Sequence, residues 1–94
     1  MNDKIEESTA RQQYFWTKLC QVKRSLDFTR GDRYRTHQVF IVQLGKDPAT
    51  VPALDLYDRQ IRDLESQADH YAKLVQEEEA FQAEQIDSEN HPIF

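Results

Sequence analysis

Turn-forming residues are scarce in this chain. Two glycines and three prolines among 94 residues are too few for the many turns of a sandwich or barrel. A single cysteine, Cys20, excludes an internal disulfide and argues against a secreted, disulfide-stapled scaffold. No apolar run approaches the ~20 residues of a membrane-spanning helix. The first residues, "MNDKIEESTARQQ", are polar and carry no apolar signal-peptide core. Together these absences lead to the expectation of a cytoplasmic protein with no membrane association.

Chemical motifs are missing as well. There is no glycine-rich phosphate loop, no Cys/His pair at metal-ligand spacing and no nucleophile elbow. His37, His70 and His91 are far apart in sequence. Asp69 and His70 are neighbours, but on a helix they point about 100° apart and make no ready dyad. The expectation is a protein without catalysis, cofactor or metal.

What is present is charge, 31% of the residues, and an apolar fraction of 38%. The net charge of −5 is unevenly spread. Residues 1–46 hold nine Lys/Arg against five Asp/Glu, or +4; residues 47–94 hold three against twelve, or −9. Such an asymmetry implies internal complementarity or two different partner surfaces.

Periodicity then sets the fold class as all-α, one helical domain over 1–94 with frayed ends near 1–5 and 88–94. Leu54, Tyr57, Ile61, Leu64, Ala68, Tyr71 and Val75 alternate at steps of three and four, a heptad seam with seven consecutive hits. The seam predicts a long helix over about 51–86, with Thr50 as N-cap and Pro52 in the first turn, where its missing N–H costs nothing. Pairs such as Asp55–Arg59, Asp58–Arg62 and Asp69–Lys73 are spaced for i,i+4 support. A second seam, Phe15, Leu19, Val22 and Leu26, predicts a helix over about 3–26 packed antiparallel on the first in a coiled-coil-like manner. Stepped backwards, that seam meets Gln12, Ser8 and Ile5, so its early turns are weakly amphipathic.

The intervening "RYRTHQVFIVQLGKDP" is the ambiguous stretch. Val39, Ile41 and Val42 favour a β-strand locally. Tyr34, His37, Ile41 and Leu44 instead repeat at helical spacing. Gly31 serves as a breaker, Asp32 as an N-cap, and Gly45 as a left-handed stop before Pro48. The expectation is a short middle helix over about 33–44. The alternative is a single strand at 37–44 that pairs with its copy across a dimer, because one strand has no partner within the chain. Helices of such unequal length leave "QEEEAFQAEQID" as an overhang or under a second chain.

Function is read from what remains. The leading expectation is a non-catalytic protein–protein interaction module: a small regulator, adaptor or accessory subunit docking on a larger assembly, or a homodimer. Tyr14 and Trp16 flank Phe15 on opposite sides of the first helix, and such aromatic anchors dominate interface energetics. Val39 and Phe40 exceed what one seam covers, Phe81 lies in the acidic end, and Ile93 and Phe94 close the chain. These seven residues are the candidate partner contacts. A second reading is nucleic-acid association through Lys23, Arg24, Arg30, Arg33 and Arg35, interleaved with Phe28 and Tyr34. Against it, arginines of this kind also solvate a loop or pair with an acidic helix, and a net −5 is a poor match for phosphates. A third is an acidic inhibitor that mimics nucleic acid through Glu77, Glu78 and Glu79. A charge run of that kind more often marks a solvated helix end. Cys20 is read as a small half-buried apolar residue.

Overall fold

A computed structural model describes residues 3–90, with side chains placed through residue 86. Helix α1 spans Asp3–His37 and helix α2 spans Pro52–Asn90. They form an antiparallel hairpin of extents 75 × 19 × 15 Å. No strand occurs among the described residues, so the all-α class holds and a strand at 37–44 does not form.

The separate middle helix is also absent. α1 runs through 27–35 without a break and reaches His37. Gly31 costs roughly 1 kcal/mol relative to alanine inside a helix, and the segment around it is tied to α2 by Arg30–Glu65 and Arg33–Asp58. Its φ is not left-handed; Gly45 is the glycine with positive φ, at 66°. Asp32 is therefore an interior helical residue that pairs with Arg35 one turn on, not an N-cap. The spacing Tyr34, His37, Ile41, Leu44 is not the inward face, since Tyr34 and Leu44 are exposed. The inward residues continue α1's own register through Thr29, Arg33, Thr36 and Phe40, all half-buried.

Beyond His37 the helix widens into a π-helical segment, Gln38–Gln43. Leu44 N donates to Val39 O at 3.0 Å, one residue further back than in an α-helix. The segment contains "VFIV", in which Val39, Ile41 and Val42 are β-branched. Gly45 then turns left-handed and donates to Ile41 O at 3.1 Å, while Lys46 N reaches Phe40 O at 2.9 Å. The pattern is a Schellman-type stop one residue wider than usual. A 3₁₀ turn, Pro48–Thr50, leads into α2. Here Asp47 is the cap, its Oδ1 accepting from Ala49 N at 3.0 Å. The Thr50 hydroxyl donates to Asp47 O at 2.7 Å, so Thr50 does not cap α2; Pro52 does occupy its first turn.

The core is one seam wide. Leu19, Val22 and Leu26 from α1 and Val51, Leu54 and Val75 from α2 are the buried apolar residues. Phe15, Tyr57, Ile61, Leu64, Ala68 and Tyr71 are half-buried, as expected for two helices without a third layer. Because α1 is long, α2 is not left bare along 77–82: Ser8 and Gln12 lie against Glu78 and Gln82. The expected overhang there is not found. Residues 3–5 lie within α1 and residues 88–90 within α2.

Candidate interaction surface

The hairpin's open end is held by polar residues. Continuing both seams by heptad steps brings Ser8 and Gln12 of α1 against Glu78 and Gln82 of α2. Ser8 is fully buried, 0% exposed, the most enclosed side chain among the described residues. Its hydroxyl donates to Glu78 Oε2 at 2.5 Å and accepts from Gln82 Nε2 at 3.2 Å. Gln82 also donates to Gln12 Oε1 at 2.8 Å, and Gln12 Nε2 reaches Glu79 Oε1 at 3.2 Å. Arg11 closes the layer, with Nε at 2.8 Å from Glu78 Oε1. Among the described residues no buried side-chain nitrogen or oxygen lacks a partner. The hydrogen bonds from Arg11 and then Ser8 hold the Glu78 carboxyl below the usual carboxylate range.

The loop end carries ion pairs between the helices. Arg33 Nε lies 2.5 Å from Asp58 Oδ1, and Arg30 lies 3.6 Å from Glu65. Arg35 pairs with Asp32 within α1. Three of the five basic candidates are thus engaged by carboxylates; Lys23 and Arg24 are exposed on α1. Asp58 reaches across to Arg33, while Arg62 Nε donates to the Asp58 carbonyl at 3.4 Å.

The candidate contact residues divide as follows. Tyr14 is 58% exposed and Trp16 55%, on opposite flanks of α1. Lys18 Nζ sits 5.5 Å from the Tyr14 ring centre, and Phe15 meets Tyr14 edge-on at 5.8 Å. Trp16 borders an open groove with Gln12, Gln13, Thr17, Val75 and Glu79. Val39 is exposed; Phe40 is half-buried under Lys46, whose Nζ is 5.8 Å from its ring. Phe81 is half-buried on α2. Ile93 and Phe94 lie outside the described residues. The structure does not gather these candidates into one patch. It spreads them along a rod.

Phe28, Tyr34, Val42, Leu44, Leu56 and Ile86 are exposed as well, and of these only Leu56 had no place in the sequence reading. Phe28 follows Tyr14 by two heptads and so shares its side of α1. Cys20 is a half-buried free thiol. Among the described residues no His/Cys/Asp/Glu group could hold a metal, and no helix is long and apolar enough to cross a membrane. No family model matches the chain, and searches of curated proteins and of solved structures give no match.

Proposed function

We propose that the chain is a non-catalytic protein–protein interaction module, a small regulator, adaptor or accessory subunit that docks on a larger assembly. One observation carries this reading. A hairpin with a core one seam wide exposes large apolar residues along its length, Trp16 and Tyr14 among them. Tyr and Trp side chains are enriched among the anchors of protein interfaces. Arg30, Arg33 and Arg35 face carboxylates of the chain itself, which weakens the case for phosphate binding through them.

The test is capture on the immobilised chain followed by mass spectrometry, with and without nuclease. A Trp16→Ala variant is run in parallel. The expected result is a protein partner that survives nuclease and is lost with Trp16→Ala, while the variant's helical circular dichroism is unchanged. Capture that disappears with nuclease would replace this reading with nucleic-acid association.

A further inference from the structure

The unfilled side of α1 has a definite order. Glu7, Tyr14, Gln21, Phe28 and Arg35 recur every seven residues, and all five are exposed. Each member precedes by one residue a buried or half-buried position of α1, Ser8, Phe15, Val22, Thr29 and Thr36, so the row runs along one flank of the seam. The row reads acid, aromatic, amide, aromatic, base. It is centred on Gln21, with each aromatic about 10.5 Å from the centre at 1.5 Å per residue.

We propose that this row is the interface for a second copy of the chain, packed antiparallel about a two-fold axis through Gln21. An isologous interface requires a patch that complements itself. Turned about Gln21, Tyr14 meets the other copy's Phe28, Gln21 meets itself, and Glu7 meets the Arg35 whose guanidinium already pairs with Asp32 and would be shared between the two carboxylates. Each unlike pair then occurs twice. The result is a four-helix assembly in which one flank of α1 becomes a second seam. The proposal rests on the reading of the chain as an interaction module, and it names one partner.

Two further observations select a second copy. The first is surface area. The chain exposes 7186 Å². A compact monomer of its mass, 11.2 kDa, would expose about 5,700 Å². The excess, about 1,500 Å², is of the size that each partner buries in an obligate dimer, roughly 1,000–2,500 Å². The second is charge. Residues 23–66, the loop half, carry eight Lys/Arg and seven Asp/Glu, or +1; the remaining residues carry four and ten, or −6. Antiparallel packing lays the loop half of each copy beside the acidic half of the other. Parallel packing would stack the two acidic halves.

The experiment is sedimentation equilibrium of the full chain across a concentration series, read against its charge-swap and aromatic variants. The expected mass is twice 11.2 kDa. Tyr14→Ala with Phe28→Ala should raise the dimer dissociation constant at least about tenfold with helicity retained, as loss of central aromatic anchors does. Glu7→Arg and Arg35→Glu should each weaken the dimer, and combining them should restore it. A monomeric mass throughout would overturn the proposal, and so would a dimer indifferent to these changes. A monomer that still captures a partner through Trp16 would leave the broader reading standing. A dimer that captures nothing would do the reverse.

Discussion

Gly31 is the residue at which a two-helix hairpin and a three-helix chain part company, and alanine there separates them. In α1 the Cβ added at Gly31 would meet only the Arg35 guanidinium, with Nη1 at 3.5 Å and Nη2 at 3.8 Å. That is ordinary contact with the mobile end of a long side chain. Gly31→Ala should therefore recover the helix-propensity difference, about 0.8–1 kcal/mol. For a domain of this size about 1 kcal/mol moves Tm by roughly 4–8 °C. Gly45 makes the control. Nothing lies within 4 Å of a Cβ there, yet its φ is +66°. An L-residue in that conformation costs about 1–2 kcal/mol. The restricted unfolded chain returns about 0.4–1 kcal/mol of this. Gly45→Ala should thus fail to raise Tm and should lower it, at a net cost of up to about 1.6 kcal/mol. Thermal melts followed at the helical circular-dichroism band read both. A fall in Tm for Gly31→Ala would refute the continuous α1, because it would mean that the glycine serves as a left-handed breaker.

Ser8→Ala should cost about 1–2 kcal/mol, because the hydroxyl's charged acceptor and its Gln82 donor are both left short of a partner; a melt within about 0.3 kcal/mol of the parent would refute that role. The Glu78 carboxyl is held below its ordinary range in the folded chain, so its contribution is present above the unfolded carboxylate value and is lost as pH falls through the folded one. Stability measured from about pH 7 down to pH 3 should show this loss, and Glu78→Gln should flatten it. A double-mutant cycle on Arg33 and Asp58 should give about 0.5–1 kcal/mol of coupling, reduced by added salt, since both side chains are part-exposed. Coupling unaffected by salt would place that pair in a drier setting than the one described.

The long second helix was legible because seven heptad hits leave little freedom, and its inward residues are those the spacing names. The first helix was legible in phase but not in length. Gly31 and Asp32 look like punctuation when read locally, yet helix termination is a balance, and the segment around Gly31 packs against α2 through Arg30 and Arg33. The same continuity explains why Tyr34 and Leu44 were misplaced. Their spacing is helical, but it is out of phase with Leu26, and phase is set by what lies across the interface. Gly45 was legible because a positive φ at a helix end is a backbone demand that few residues meet. The π-helical widening was not, since nothing in "VFIV" counts residues per turn. The polar layer at the open end was half visible. Ser8 and Gln12 fell on the seam by simple stepping, but Glu78 and Gln82 had to be known as their partners before polarity could be read as packing rather than fraying.

That layer also explains why a narrow hairpin needs polar residues in its seam at all. An apolar seam discriminates register less sharply than a polar one: after a one-heptad slip in one direction Leu19, Val22 and Leu26 would still meet apolar residues of α2, although the 38–51 connection would have to rearrange. The same slip would part Ser8 from Glu78 and Gln82 from Gln12, leaving a fully enclosed hydroxyl against the wrong neighbours. Each buried polar group so orphaned costs about 1–3 kcal/mol, a large fraction of what a 94-residue chain has to spare. Apolar replacements at these positions could well pack as favourably in the native register. They would pack as favourably in others too. A single polar layer at one end, with two charged crossings at the other, therefore sets the register that the leucines alone leave open.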